Sequence, residues 1–316
     1  MLTKIQAEFG ERAAPLALTV PILGVTPKDS LLIRSITGLG PPDVELFIGD
    51  YSQDGGTYQG RRVGKRNPVI TLDINPNPAL GETVAGWREK LYKIFMDPLV
   101  DADYVKLNLF HDDGRVMYVT GHTEKFETDI FSVETMAQIS IVCPDPYIRE
   151  QNRVIMTNPP SGWVTAPPIV YTGTADAGFQ IELVPNVTSN GLKLQLNNAV
   201  MNILVSGGLN FIANEDVVYI NTERGQRAIL MAKLADLETY RTSWDPTSIY
   251  PPKYIWDRMV ASPSVTVRSL IPFLNDADPW LELHSQSNYL EAYSSSTSDS
   301  MWSIRRIEYQ QAYWGV

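Results

Sequence analysis

The run Cys143-Pro144-Asp145-Pro146-Tyr147-Ile148 constrains this chain more than any other stretch. It closes residues 136–143, whose apolar/polar alternation predicts a strand. Two prolines at alternate positions cannot extend a ladder, because each lacks an N–H and holds φ fixed. The strand has to stop there, and the run reads as a domain exit. Length agrees: 316 residues exceed what one core commonly supports, so two domains are expected, residues 1–148 and 149–316.

The first part reads as mixed. Loose alternation over 16–25 and 30–37, then 44–48 and 68–74, predicts strands. Between the last two lies a polar excursion, residues 49–66, too long for a tight turn and expected as a functional or disordered loop. Residues 81–96 carry Val84, Trp87, Leu91, Ile94 and Phe95 at helical spacing, with Glu82 near the start and Lys90 and Lys93 near the end. Asp97-Pro98 then ends the helix. Residues 104–110 and 116–120 flank Asp113-Gly114 as a hairpin, and 123–130 with 134–143 add a further strand pair. The second part, from about residue 165, reads as an all-β antiparallel sandwich, with strands at 179–183, 192–196, 201–205, 217–220, 228–230, 280–283 and 302–309. Residues 240–272 are expected to be irregular or to hold a short helix, and 294–300 to be a solvated turn.

Charge and cysteine content exclude several classes. A net charge of −10 and a pI near 4.9 argue against wrapping nucleic acid on a basic face. The single cysteine permits no intrachain disulfide. The sequence has no apolar run of transmembrane length, and Met1 to Glu8 lacks the apolar core of a signal peptide, so synthesis in a cytoplasm is expected.

Chemistry is sparse. Gly64-Lys65 suggests a phosphate loop, but Gln59 stands where that loop needs glycine and Arg66 where it needs Ser or Thr. His111, Asp112, Asp113 and His122 are metal-capable, yet Asp113-Gly114 is explained by the turn and no zinc or calcium spacing occurs. Cys143 lies on the apolar face of a strand and is expected to be buried and inert. No Gly-x-Ser-x-Gly elbow or carboxylate pair argues for an enzyme, so no catalytic, cofactor or metal residue is assigned. Two features concern partners. Arg61, Arg62, Lys65 and Arg66 form a basic cluster on the polar excursion, either a solvated loop tip or a dock for an acidic neighbour such as another copy of the chain. Trp244, Trp256, Trp280, Trp302, Tyr289, Tyr313 and Trp314 either fill the sandwich core or stack on sugars.

The order of these parts resembles the distal tail proteins of long, non-contractile-tailed bacteriophages. The resemblance covers nearly the whole chain: a β domain with one amphipathic helix, a strand into Cys143-Pro144-Asp145-Pro146-Tyr147, then a sandwich. Residues 216–224 and 304–309 resemble that family's strand-and-turn segment and closing strand, while its Gly-Asn corner is reduced to Ser287-Asn288. The resemblance implies a mainly β fold, with an N-terminal β-rich belt domain carrying one packed α-helix and a C-terminal galectin-like antiparallel β-sandwich. It implies a hexameric ring in the virion that joins the tail tube protein to the baseplate hub around a DNA channel and sometimes carries receptor-binding proteins. The alternative is a carbohydrate-binding sandwich acting in host-surface attachment.

Overall fold

The computed structural model describes residues 2–9, 16–19, 30–50, 56–96, 104–128, 135–157, 168–206, 209–244, 252–275, 278–293 and 302–315. Asp97-Pro98 and the turn at 294–300 lie outside them, as does the side chain of Trp244. The chain is mainly β. It forms two compact units, Met1–Asn152 with Ala312–Val316, and Arg153–Gln311.

The first unit contains strands β1 (Leu2–Phe9), β2 (Leu16–Thr19), β3 (Leu31–Thr37), β4 (Val44–Asp50), β5 (Gly56–Val63) and β6 (Val69–Ile74). Helix α1 (Val84–Phe95), β7 (Val105–His111), β8 (Val116–Thr128), β9 (Met136–Val142) and β10 (Ile148–Thr157), which from Arg153 onward belongs to the second unit, follow. Its ladders return on themselves in the order β8-β7-β1-β2-β3-β6-β9-β8, a seven-stranded barrel without a free edge. Ile5, Leu72, Leu107, Leu109, Ile139 and Ile141 fill it, each fully buried. Helix α1 adds Leu91, Ile94 and Phe95 to that core, and Thr83 caps it by accepting from Gly86 N at 3.0 Å. Between β7 and β8, Gly114 takes φ +85° and Asp113 accepts from Arg115 N, so the Asp-Gly turn is where residue type placed it.

The Cys-Pro-Asp-Pro run does stop a strand, but only for a few residues. Strand β9 leaves β8 at the pair His122–Val142, and β10 rejoins the same neighbour at Tyr118–Arg149. Six residues, 143–148, therefore face the three at 119–121, and the excess bulges outward. Gly121 sits beneath the bulge, where a Cβ would meet Val142 O at 2.5 Å and Cys143 Sγ at 2.8 Å. Asp145 holds the turn, accepting from Tyr147 N at 3.2 Å and pairing with Arg149 at 2.8 Å.

The second unit comprises β11 (Ile169–Tyr171), β12 (Phe179–Pro185), β13 (Gly191–Leu196), β14 (Ala199–Leu204), β15 (Asp216–Asn221) and β16 (Ala228–Lys233). After them come α2 (Leu234–Trp244), α3 (Pro252–Ala261), β17 (Arg268–Ser269), β18 (Gln286–Asn288), β19 (Leu290–Tyr293) and β20 (Trp302–Tyr313), whose last residues belong to the first unit. An antiparallel sheet β17-β16-β15-β12-β20 and a three-stranded sheet β14-β13-β19 make the sandwich. The all-β expectation for this part is corrected by α2, while α3 lies within residues 240–272, where a short helix was one of the two expectations. Among its described side chains helix α2 buries only Leu237 completely, so no apolar stripe announces it. Helix α3 does carry one (Pro252, Ile255, Trp256, Met259), in a segment whose prolines and aromatics read as irregular. Together they cover β12, every residue of which is buried. Glu182 on that covered face accepts from Arg241 of α2 at 2.6 Å and from Trp256 Nε1 of α3 at 3.0 Å, a buried charge satisfied on both sides.

Candidate functional site: a β-hairpin arm and its socket

The polar excursion of residues 49–66 is largely a strand, which corrects the loop expectation. Residues 56–63 form β5 and pair with β4 from Val44–Val63 to Asp50–Gly56, with a bulge at Gln59 and Gly60 at φ +152°. Among the described residues neither strand pairs with any other, so both faces and both edges of this hairpin are open. That is why β5 shows no apolar alternation: neither of its faces meets a core.

The arm is nonetheless apolar on one side. The cross-strand pairs Val44–Val63, Leu46–Arg61 and Ile48–Tyr58 share a face, and Leu46, Ile48 and Tyr58 are each more than half exposed. The other face carries Phe47 and the opposed charges Glu45 and Arg62. A lone two-stranded hairpin is marginal in water, and open edges beside bare apolar side chains mark an association surface.

Of the four basic residues expected to act together, three are exposed and one is not. Arg61 and Arg62 point to opposite faces of β5, and Lys65 lies exposed at the base. Arg66 is 2% exposed. Its backbone pairs with Cys143 (3.1 and 2.8 Å). Its guanidinium donates to Pro146 O (2.8 Å), Gly38 O (3.0 Å), Gly40 O (2.5 Å) and Trp314 O (2.6 Å). Burial lowers its pKa from an already high value, and the Asp145 carboxylate partly offsets this. The placement of Arg66 in an interface loop is therefore corrected. It is the floor of the socket from which the arm springs, and its position just before Asn67-Pro68 and β6 was the only hint in sequence.

Trp314 and Gly315 complete the socket. The Trp314 ring meets Tyr147 edge-on at 5.2 Å, Arg61 lies 6.0 Å from its centroid, and a Cβ on Gly315 would press on Leu39 O at 3.1 Å. Cys143 is buried at the same place, and desolvation pushes its thiol up to about 12. Several aromatics that were candidates for sugar stacking are core: Trp256 and Trp302 are fully buried and Tyr313 nearly so. Trp280 lies under Arg227 at 5.3 Å, and Tyr289 remains exposed.

The fold and site thus define a two-unit, mainly β architecture: a barrel with an unpartnered arm, followed by a helix-covered sandwich. The same fold is found in the crystal structure of the phage SPP1 Dit protein, described as a paradigm of hub adsorption apparatus in phages infecting Gram-positive bacteria. The two share a TM-score of 0.58 and 13% identity, over 98% of each chain. The phage P2 baseplate in its activated conformation with calcium gives a TM-score of 0.44 and 10% identity over 98% of each chain. No protein-family model and no curated protein sequence matches the chain.

Proposed function

We propose that this chain is a structural subunit of a phage tail tip, of the distal tail type. It builds a hexameric ring that joins the tail tube protein to the baseplate hub and leaves a channel for DNA. The observation that carries this reading is the end-to-end fold likeness to a hub protein of a phage adsorption apparatus. In this reading the barrel unit is the belt, residues 1–148 in the main, and the arm is its contact with the next copy. The sandwich of residues 149–316 is the galectin-like outer domain, available to receptor-binding proteins. The role is architectural, with no catalysis and no cofactor. Assembly takes place in the host cytoplasm, and the product resides in the virion. The acidic balance of the chain suits a conduit that must not retain DNA.

The test is the mass and shape of the purified protein. Light scattering and negative-stain imaging should reveal six-membered rings with an open centre. Reversing Arg61 and Arg62 (R61E/R62E) should convert rings to monomers without altering the circular dichroism. A wild-type protein monomeric at high concentration, or a double variant that still forms rings, overturns the reading.

A further inference from the structure

We infer that Arg66 is the positioning residue of the arm: it sets the direction in which β4 and β5 leave the barrel, and so the chain's ability to associate. This rests on the reading of the arm as the contact between copies. The arm has no lateral support of its own, because among the described residues β4 and β5 pair only with each other. Its direction is therefore set where its two legs enter the barrel, at residues 38–43 and 64–66.

One guanidinium controls that entry. It takes the carbonyls of Gly38 and Gly40 on the first leg while itself belonging to the second. It also takes Pro146 O from the strand bulge and Trp314 O from the returning segment. Gly64 N to Asp43 O, 2.8 Å, closes the base beside it. Each of the four acceptors is a backbone carbonyl in an irregular segment, outside the regular ladders that could fix it otherwise. The side-chain type follows from this geometry. Only a planar fork with five N–H donors can reach carbonyls on three separate segments, whereas a lysine offers one nitrogen at the end of a flexible stem. The barrel does not need this contact to close, since its seven ladders run through other residues. What the guanidinium adds is alignment of the legs, the bulge and Trp314, whose ring faces Arg61 on the arm.

The test uses the full chain with Tyr58→Cys and Lys125→Cys carrying spin labels, diluted into unlabelled protein. Native Cys143 is fully buried with its thiol pushed up to about 12, and takes no label. The label distance should be narrow with Arg66 present and broad in both Arg66→Lys and Arg66→Met. Self-association should weaken at least about tenfold (about 1.4 kcal/mol) in each. Amide exchange in β1 and β7 should stay as in the parent. A distance that remains narrow, association that is unchanged, or a barrel that opens in both variants overturns the inference. The two failures are separable. If R61E/R62E dissociates the assembly and the Arg66 variants do not, only this inference falls. If R61E/R62E has no effect, the assembly reading falls, and the label distance still decides whether Arg66 positions the arm.

Discussion

Gly121 offers the sharpest test of how the strand bulge is closed. In Gly121→Ala the new methyl would sit 2.5 Å from Val142 O, 2.8 Å from Cys143 Sγ and 2.9 Å from Ile141 Cγ2. Real Cβ contacts do not approach that closely, so the backbone at Val142 must give way. Val142 is paired with His122 in the β8–β9 ladder, and the thiol beside it is fully buried, so little room exists for a shift. Overpacking of this kind costs about 1–3 kcal/mol, and three simultaneous clashes, one with a carbonyl, place the loss near the upper end, ~3 kcal/mol. For a unit of this size that corresponds to a melting point lower by about 6–12 °C. Gly121 does not take a left-handed φ, so strain in the backbone plays no part. Gly40→Ala is the control: nothing lies within 4 Å of its Cβ and its φ is not left-handed, so it should be neutral or stabilising by about 0.4–1 kcal/mol. Urea-dependent amide exchange of β8 and β9 measures both. A Gly121→Ala loss below about 1 kcal/mol, or one equal to the control, would refute the claim that the bulge closes directly on this residue.

Two further outcomes are expected. In the second unit Arg153 pairs with Glu223 and Glu308, and the Glu308 side chain is 1% exposed, with Arg306 its other partner at 2.9 Å. Arg153→Met should cost about 3–5 kcal/mol at pH 7, because it strands buried carboxylate charge. Burial already raises the Glu308 pKa, and losing a cation raises it further. The folded state then binds a proton more readily than the unfolded one, so the penalty should shrink as pH falls toward 5; a penalty that grows would contradict the pairing. At the other extreme, Cys143 keeps its proton in the folded chain up to about pH 12, while the unfolded thiol ionises near 9. Its contribution is complete below pH 9 and is lost as pH rises, by about 1.4 kcal/mol at pH 10. Cys143→Ala should lack that alkaline component in paired denaturation curves, and identical slopes for the two proteins would rule it out.

Much of the fold was legible because its signals are local. The stripe of Trp87, Leu91, Ile94 and Phe95 and the Asp113-Gly114 turn each express a preference between neighbours a few residues apart. Strand β13 alternates because one of its faces, Leu192, Leu194 and Leu196, lies on a core while Lys193 and Gln195 lie on the other. Legibility failed where burial is decided by distant segments. Helix α2 shows no clear stripe because it buries little besides Leu237 and is held largely by ion pairs to distant residues, Arg241 to Glu182 and Glu238 to Arg305. Strand β5 was read as a loop because neither of its faces is covered by the chain that contains it.

Residue type alone determined that a strand must break at Pro144 and Pro146, since proline lacks the donor that a ladder requires. It also determined that Cys143, on the apolar side of that strand, is buried. Only the tertiary structure decided what the break is for. The strand resumes on the same neighbour, and the carbonyl of Pro146, freed by the bulge, faces Arg66 with the carbonyls of Gly38, Gly40 and Trp314. Those partners are brought together by barrel closure, not by spacing along the chain. Four arginines and lysines that look alike in sequence are thereby divided into three for the surface and one for the socket.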